Sequence, residues 1–223
     1  MSDNRDYILF LNSDYSDSDL DYYRELIDSK ITVAVDGGIR FFLQNDIKPN
    51  LLIGDFDSLP EFDEDYLTDI EVIKHPVQKD KTDGQLALET AIERGGERIE
   101  ICGAFGESEV DHVLGNILLL DLVNKHNNRT GAKVKAKITG PETEVYLVSN
   151  GKLFIKGQAG DTLSIVPLAK KIWVDFDGME YESPDRWIKM GETLSLRNKL
   201  VKDKVGIVVK GKAVIVLLRG KQS

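Results

Sequence analysis

Apolar runs alternate with amphipathic stretches through the first half of the chain. Short apolar runs bounded by turn residues are typical of buried strands, and the amphipathic stretches between them are typical of helices. The apolar runs occupy residues 7–11, 32–35, 51–53, 70–74 and 98–102, with helical patterns at 18–29 and 39–45. Strands that alternate with helices in this way predict a parallel α/β sheet.

The pattern changes after residues 127–131, where Asn-Asn-Arg-Thr-Gly ends the last helical stretch. Strand patterns then follow one another without a helix, and the dipeptides Asn150-Gly151 and Lys210-Gly211 are typical of hairpin turns. These strand patterns lie at residues 134–139, 144–148, 153–156, 162–166, 171–176, 193–196, 205–209 and 213–218. The chain is therefore predicted to form an α/β domain over residues 1–130 and a small all-β sandwich over residues 131–223.

Polar residues follow the predicted parallel strands where those strands end. Ligands of open α/β sheets bind beyond the carboxyl ends of the strands. The residues at these ends are Asn12-Ser13, Asp36-Gly37-Gly38, Gly54-Asp55 and Gly103-Ala104. Thr82 and Ser108 fit the capping-box spacing for helix starts at the same edge, so the pattern predicts a Rossmann-like domain with its chemistry at one edge. The last helix is expected to pack on the sheet through an apolar stripe: Val110, Val113, Leu114, Ile117 and Leu118.

Asp55 and Asp57 directly follow the apolar run at residues 51–53. In an extended strand they would project to the same side, with Phe56 between them turned toward the core. Two carboxylates held so close repel unless a cation lies between them, and Mg²⁺ is usually bound by one or two carboxylates together with substrate phosphates. The pair therefore indicates a magnesium site, although Gly, Asp, Ser and Pro in this stretch would equally form a solvated turn.

The composition is that of a globular protein with an acidic balance. The 223 residues are 41% hydrophobic and carry a formal net charge of -9. Because the sequence has no basic stripe or tail, binding to nucleic acid or to an anionic membrane is not expected. The first residues lack the pattern of a signal peptide and no apolar run is long enough to span a bilayer, which predicts a cytoplasmic location. Cys102 is the single cysteine, and its apolar neighbours predict a buried, unreactive thiol.

Carboxylates accumulate in the loops at the predicted ligand edge. They are Asp36, Asp55, Asp57, Asp80, Asp83 and Asp111, and Lys79, Ser58 and Thr82 lie among them. Glycines in the same loops would let the backbone approach a phosphate closely. A metal ion together with a phosphate group accounts for this concentration of charge. For Asp83 and Asp111 the alternative is a favourable position at a helix N-terminus, which is worth a few tenths to about 1 kcal/mol.

Five motifs in this order resemble the thiamine pyrophosphokinase family. They are Val35-Asp36-Gly37-Gly38, Gly54-Asp55-Phe56-Asp57-Ser58, Lys79-Asp80-Lys81-Thr82-Asp83, Asp111-His112 with Asn116-Ile117, and Gly160-Asp161-Thr162-Leu163-Ser164-Ile165-Val166-Pro167-Leu168. The resemblance implies ATP-dependent transfer of a pyrophosphoryl group to the hydroxyl of thiamine, which gives thiamine diphosphate and AMP. It also implies a homodimer in which the α/β domain of one subunit and the β-sandwich of the other share an active site.

The resemblance also implies roles for individual residues. Asp55, Asp57 and Asp83 are implied to bind Mg²⁺ and, with Asp111, to form the catalytic set. Asp111 is the candidate to orient or deprotonate the thiamine hydroxyl. The implied contacts to ATP or thiamine come from Asp36, Gly37, Ser58, Lys79, Thr82, His112 and Asn198. For His112 a purely structural contact within its helix is the alternative.

Two positions depart from the family pattern. An acid, Glu109, stands where the family has a phosphate-binding arginine, and Arg197-Asn198 replaces the family's Ser-Asn. Glu109 is expected to face solvent, because a glutamate in the first turn of a helix is stabilised there by the helix dipole. The missing positive charge is then expected from Lys81 or Arg40.

Two other functions remain open from the residues. A phosphatase that uses the first aspartate of Asp-x-Asp as its nucleophile would need a second acidic pair at a strand end, and the second half of the chain offers none. A thiamine- or nucleotide-binding relative without turnover would explain the missing arginine but not the many acids. Trp173 and Trp187 could stack on a thiamine ring, but burial in the sandwich core is expected for both.

Overall fold

The structure is a computed structural model that describes residues 5–56, 59, 64–76, 80–106, 109–181 and 186–220. The chain divides into two compact units, Met1–Pro141 and Glu142–Ser223. The domain boundary predicted after residue 130 is wrong, because the next strand completes the sheet of the first unit. That strand, Lys135–Gly140, pairs in parallel with Arg98–Cys102.

The first unit is a parallel α/β sheet, as the sequence predicts. Its strands are β1 (Asp6–Phe10), β2 (Ile31–Val35), β3 (Leu51–Gly54), β4 (Glu71–Lys74), β5 (Arg98–Cys102) and β6 (Lys135–Gly140). Its helices are α1 (Leu20–Ile27), α2 (Ile39–Gln44), α3 (Asp83–Glu93) and α4 (Val110–Thr130). The strand order is β6-β5-β1-β2-β3-β4, and neighbouring strands run parallel. Within the described residues, no helix is long and apolar enough to cross a membrane.

Aromatic side chains form much of the core of this unit. The ring of Phe10, at the end of β1, stacks on Phe41 of α2 with centroids 4.5 Å apart and meets Phe42 edge-on at 5.0 Å. All three side chains are buried, as expected for a parallel sheet that helices cover. The thiol of Cys102 is also buried, and burial raises its pKa, so the prediction of a buried thiol is confirmed.

Helix α4 differs from its prediction at both ends. It begins at Val110 with Glu109 as the N-cap, and the Glu109 side chain makes no capping hydrogen bond. The start predicted at Ser108 is therefore wrong, and Ser108 itself lies outside the described residues. The helix continues through residues 127–130 and ends at Gly131, whose φ of +77° needs the conformational freedom of glycine.

The apolar stripe of α4 does not pack on the sheet as predicted. Val110, Leu114 and Leu118 are 71%, 56% and 49% exposed. The buried residues of the helix are Leu119, Leu120 and Val123. A long helix with apolar residues on more than one face does not reveal from its sequence which face meets the sheet.

The second unit is all-β, as predicted, and its strands pair in antiparallel fashion. The strands are β7 (Thr143–Lys156), β8 (Thr162–Pro167), β9 (Lys171–Phe176), β10 (Arg186–Lys189), β11 (Asn198–Lys199) and β12 (Lys204–Leu218). The order is β10-β9-β12-β7, and β8 pairs with both β12 and β11. The strand predicted at residues 193–196 is wrong, since these residues form a turn.

The long strands β7 and β12 bend where the sequence predicts hairpin turns. Asn150-Gly151 lies within β7 and Lys210-Gly211 lies within β12, so both predicted turns are wrong. The backbone N–H of Gly211 donates to Oδ1 of Asn150 at 2.7 Å, beside a shift of register between the strands. Residues 207–210 of β12 pair with β9, whereas residues 213–218 pair with β8. Both halves of β12 therefore contribute to one hydrophobic core.

The two tryptophans lie on the outer face of this unit. Trp173 on β9 and Trp187 on β10 form a cross-strand pair, and Trp187 is 56% exposed. The ammonium of Lys210 lies 4.1 Å from the Trp173 ring, and that of Lys171 lies 4.5 Å from the Trp187 ring. The prediction that Trp187 belongs to the core is wrong, because the inward positions of both strands are taken by aliphatic residues such as Ile188.

Candidate active site

Asp36 and Asp55 come together at the carboxyl edge of the parallel sheet. Asp36 directly follows β2 and Asp55 directly follows β3, and these strands are parallel neighbours. Their loops touch, since a Cβ added to Gly54 would lie 3.1 Å from the Cα of Asp36. Asp36 has a φ of +47°, a conformation that a non-glycine residue rarely adopts. The structure thus places two of the predicted site residues at the ends of neighbouring strands that are in close contact.

The chain turns immediately after β3. Strand β3 ends at Gly54, and Phe56 has a φ of +71°, so the alternation expected of an extended strand does not hold beyond Gly54. The ring of Phe56 packs against the core of the unit, as predicted, and the ammonium of Lys74 lies 5.6 Å from its centroid. Three of the predicted site residues, Asp57, Ser58 and Lys79, lie outside the described residues.

Asn12, Gly37 and Arg40 form a close arrangement at the ends of β1 and β2. Nη1 of Arg40 donates to Oδ1 of Asn12 at 2.7 Å. A Cβ added to Gly37 would lie 2.2 Å from that oxygen and 2.8 Å from Nη1 of Arg40. Gly37 therefore leaves the space that this hydrogen bond occupies. The position of Asn12 after an apolar run is a signal of the ligand edge, but the sequence does not show its contact with Arg40.

Thr82 and Asp83 begin helix α3, as predicted. Oγ1 of Thr82 accepts the backbone N–H of Gln85 at 3.3 Å, which confirms Thr82 as the N-cap. The side chain of Gln85 donates to Glu89 at 3.0 Å instead of completing the capping box. A Cβ on Gly84 would lie 3.3 Å from the side chain of Leu11, so this helix start lies beside the end of β1. Asp83 is therefore at the same edge as Asp36 and Asp55.

The first turn of α4 carries Glu109, Asp111 and His112. Oδ1 of Asp111 accepts the backbone N–H of His112 at 3.0 Å, and the Asp111 side chain is exposed. Nε2 of His112 lies 3.6 Å from Oε2 of Glu109, and both side chains are 71% exposed. Glu109 thus faces solvent, as expected. Further along the helix, Nδ2 of Asn116 donates to the carbonyl of Ala104 at 3.2 Å and so ties α4 to the loop after β5.

The described carboxylates suit a hard cation without forming a complete cage. No group of three or more His, Cys, Asp or Glu side chains within the described residues is placed to hold a metal ion. Mg²⁺ does not need such a cage, because it is usually bound by one or two carboxylates together with phosphates and water. Asp55 and Asp83 supply oxygen donors of this kind at the same edge of the sheet, so the residues present fit a magnesium site.

The second unit contains a cavity of about 520 Å³. Asn198 and Tyr181 are among its lining residues, which also include Met179, Arg186, Leu194 and Leu196. Asn198 is buried, its Nδ2 donates to the carbonyl of Tyr181 at 2.7 Å, and its Oδ1 accepts the Tyr181 N–H at 3.1 Å. Asn198 therefore holds the backbone of Tyr181 at the cavity.

The residues from Gly160 to Leu168 have a structural role in this unit. The carboxylate of Asp161 is buried and accepts the backbone N–H groups of Gln158 and Gly220, both at 2.8 Å. Oγ of Ser164 accepts the N–H of Arg197 at 2.9 Å. The Ser164 hydrogen bond positions the segment that lines the cavity and that carries Asn198.

Comparison with known proteins finds similarity to thiamine pyrophosphokinases. Residues 22–131 match the family model for the catalytic domain of thiamin pyrophosphokinase. The thiamine pyrophosphokinase of Bacillus subtilis (strain 168) is 29% identical over 191 residues, which cover 84% of this chain and 86% of that protein.

Solved structures show the same fold. The thiamine pyrophosphokinase structure from Bacillus subtilis has a TM-score of 0.78 at 24% identity and covers 96% of this chain and 99% of that one. The thiamin pyrophosphokinase structure from Geobacillus thermodenitrificans has a TM-score of 0.76 at 23% identity and covers 97% of this chain and 98% of that one. The chain is thus similar to the thiamin pyrophosphokinase catalytic domain over residues 22–131, is similar to the curated thiamine pyrophosphokinase over most of its length, and shares the fold of the solved structures.

Proposed function

We propose that this chain transfers a pyrophosphoryl group from ATP to the hydroxyl of thiamine, giving thiamine diphosphate and AMP. The observation that carries the proposal is the contact between the Asp36 and Asp55 loops at the carboxyl edge of the sheet. Aspartates on neighbouring strand ends at this edge suit a cation that in turn binds the phosphates of a nucleotide. Similarity to the thiamin pyrophosphokinase catalytic domain and to a curated thiamine pyrophosphokinase supports the same reaction.

Asp55, Asp57 and Asp83 would hold Mg²⁺ in this site. Asp55 and Asp83 lie at the same edge of the sheet, and their carboxylate oxygens are the hard donors that this ion prefers. Bound there, Mg²⁺ would neutralise negative charge on the phosphoryl oxygens during transfer.

Asp111 is the group that would receive the proton of the thiamine hydroxyl. Its exposed carboxylate stands in the first turn of α4 and is oriented by the N–H of His112. The hydroxyl oxygen forms a bond to the β-phosphorus, and the bond from that phosphorus to the oxygen shared with the α-phosphorus breaks. AMP leaves with the electron pair, and the hydroxyl proton passes to Asp111. Asp36 lies beside the reacting groups in this arrangement.

The remaining predicted contacts would hold the nucleotide at the same edge. The hydroxyl of Thr82 accepts one hydrogen bond within its helix and can still donate its own proton to a phosphate oxygen. Ser58, Lys79 and His112 are also proposed to contact the substrates. Gly37 acts differently, because its missing side chain makes room for the hydrogen bond of Arg40.

The cavity of the second unit is proposed to bind thiamine. Its volume of about 520 Å³ is within the range of roughly 300–1,000 Å³ usual for small-molecule sites. Asn198 contributes by fixing the backbone of Tyr181, whose side chain is 72% exposed beside the cavity. In this proposal Asn198 shapes the thiamine site through hydrogen bonds to its own chain.

A homodimer with a shared active site completes the proposal. The exposed side chains of Val110, Leu114 and Leu118 form an apolar stripe on α4, next to Asp111. A second copy of the chain would cover this stripe and remove its apolar surface from water. The β unit of that copy would then supply the thiamine cavity to the carboxylates of the first. A cytoplasmic location stays a prediction.

One assay tests the reaction. The purified chain is incubated with ATP, Mg²⁺ and thiamine, and the products are separated by chromatography. We expect thiamine diphosphate and AMP in equal amounts. Thiamine monophosphate with ADP, or phosphate released without thiamine consumption, would refute the proposed reaction.

A further inference from the structure

The outer face of the second unit carries three aromatic rings and six lysines. Side chains alternate along a strand, so the outward positions of residues 152–156, 171–176, 186–189 and 204–210 are those between the buried ones. The outward rings are Phe154, Trp173 and Trp187, and Phe154 and Trp187 are 57% and 56% exposed. The outward lysines are Lys152, Lys156, Lys171, Lys189, Lys204 and Lys210. These nine residues are called the aromatic–lysine face.

Four of the lysines rest on the rings. The ammonium groups of Lys152 and Lys204 lie 4.6 and 4.9 Å from the centroid of the Phe154 ring. Trp173 and Trp187 each hold one further ammonium group in the same way. A ring attracts an ammonium group through its quadrupole, but it does not cancel the positive charge. In the part of the chain that the structure describes, these four lysines are therefore positioned by rings and not neutralised by carboxylates.

Lysines also face each other directly across neighbouring strands. Lys156 on β7 is in register with Lys204 on β12, and Lys171 on β9 is in register with Lys189 on β10. Like charges in directly opposite positions destabilise a sheet. Asp175 is the only acid in these four strand segments, all of which are described. Sheet stability therefore does not explain this arrangement, whereas an anion bound across the strands would offset the repulsion.

The aromatic–lysine face belongs to the basic half of an acidic chain. The second unit has 14 Lys and Arg against 10 Asp and Glu, while the first has 15 against 28. The lysines come from four strand segments and become neighbours only through strand pairing. For this reason the sequence shows no basic stripe. The expectation that nucleic acid is not bound rested on that linear pattern, so it does not apply to this face.

We propose that the aromatic–lysine face binds single-stranded nucleic acid, a role that does not depend on the proposed reaction. Exposed rings on an antiparallel sheet can stack on unpaired bases, and ammonium groups beside the rings can contact the phosphates that link those bases. A lipid surface fits less well. The ammonium groups lie on the rings, so rings that entered the lipid would carry charges with them, and burying a charge there is costly.

Tryptophan fluorescence tests the location of binding. Trp173 and Trp187 are the two tryptophans of the chain, and both lie on the proposed surface, so their emission reports on it specifically. A single-stranded oligothymidylate of about 12 nucleotides is titrated into the full chain at low salt. We expect the emission to be quenched as bases stack on the rings. A fluorescein-labelled oligothymidylate gives the dissociation constant independently by anisotropy.

Salt dependence separates phosphate contacts from stacking. For single strands the logarithm of the binding constant falls with the logarithm of salt concentration with a slope of about −0.7 per phosphate contact. Lys171→Gln/Lys210→Gln should therefore weaken binding and make the slope shallower by about 1.4. The matched control Lys125→Gln/Lys133→Gln removes the same charge from exposed positions of the first unit, and it should keep the wild-type slope.

Trp187→Ala should weaken binding about tenfold and leave the slope unchanged, because a stacking contact is lost without a phosphate contact. Trp187→Phe, which keeps a ring, should recover most of the affinity. Both variants should keep the wild-type melting temperature, since the side chain is on the outer face. A variant that is merely damaged would not separate affinity from slope in this way.

The lysine and tryptophan variants decide the proposal even if one of them fails to fold. Failure of the wild-type chain to bind the oligothymidylate would overturn it. Binding without quenching would also overturn it, as would wild-type affinity and slope in Lys171→Gln/Lys210→Gln. Binding to phosphatidylserine vesicles but not to the oligothymidylate would overturn it in favour of a membrane surface.

Discussion

Gly37 and Gly38 directly follow Asp36, and we predict that replacing each with alanine has a different effect. Gly37→Ala and Gly38→Ala each add one methyl group within two positions of Asp36. Gly38 has a φ of −60° and Gly37 has no positive φ, so alanine can adopt both backbone conformations. The difference between the two variants therefore comes from the atoms that each new methyl group meets.

Gly38→Ala is expected to destabilise the fold. Its Cβ would lie 2.0 Å from the carbonyl oxygen of Phe10 and 2.8 Å from the carbonyl carbon. These are backbone atoms of the central strand β1, and Phe10 is fully buried and stacked on Phe41. Overpacking typically costs about 1–3 kcal/mol and can exceed that when backbone must move. The gain of roughly 0.4–1 kcal/mol from a less flexible unfolded chain offsets only part of this.

Gly37→Ala is expected to damage the site and leave the fold intact. Its Cβ would meet the ends of two side chains, Asn12 and Arg40, which can rotate away. Asn12 and Arg40 are partly exposed and can hydrogen-bond to water once they rotate away, so the loss of their hydrogen bond costs only about 0.5–1.5 kcal/mol. The same unfolded-state gain of roughly 0.4–1 kcal/mol reduces the net loss of stability. The guanidinium, once displaced, is no longer held at the ligand edge by Asn12.

Thermal unfolding and steady-state kinetics together test this contrast. For a chain of this size about 1 kcal/mol corresponds to roughly 2–4 °C, so Gly38→Ala should melt about 5–10 °C below the wild type. Gly37→Ala should melt closer to the wild type and show a KM for ATP raised about tenfold or more, with the KM for thiamine unchanged. A wild-type melting temperature in Gly38→Ala, or a wild-type KM for ATP in Gly37→Ala, would refute the reasoning.

Three further predictions concern the acids and the proposed dimer. Asp55→Asn or Asp57→Asn should lower turnover roughly a thousandfold with folding intact, because loss of a metal ligand removes about 4 kcal/mol of transition-state stabilisation. A fully active or an unfolded variant would show that these acids are structural. Glu109→Ala should leave activity within about threefold, since a 71% exposed side chain contributes little, and a severe loss would contradict its solvent-facing role. Mixing Asp57→Asn chains with inactive Asn198→Ala chains should restore part of the activity through heterodimers with one intact site, and no recovery in verified heterodimers would mean that each chain builds its own site.

Local chemistry was sufficient to predict the α/β half of the fold and the edge where ligands bind. Buried parallel strands are near-continuous apolar runs, so residues 32–35 and 51–53 are recognisable without any tertiary information. The residues that follow such runs must lie at the carboxyl edge of the sheet, which is why Asp36 and Asp55 could be placed at the same edge from the sequence. Thr82 was equally readable, because an N-cap is an interaction between residues three apart.

Features that depend on distant partners were missed. Asn150-Gly151 has the composition of a hairpin turn. The side chain of Asn150, however, accepts the N–H of Gly211, and strand β7 continues through both residues. The strand β6 looked like the first strand of the sandwich, and only its pairing with β5 assigns it to the first unit. In both cases the decisive hydrogen bonds join residues that are far apart in the sequence, where local propensity carries no information.

The sequence by itself determined which residue types stand at the ligand edge, and the tertiary structure alone decided which of them touch. Arg40 and Lys81 were equivalent as candidates for the missing positive charge. In the folded chain Lys81 pairs with Glu89, whereas Arg40 reaches Asn12 across the space left by Gly37. The contact between Arg40 and Asn12 depends on the spacing of two neighbouring strands and on the absence of a side chain at Gly37. Side-chain geometry of this kind is fixed by packing, which a linear pattern of residues does not contain.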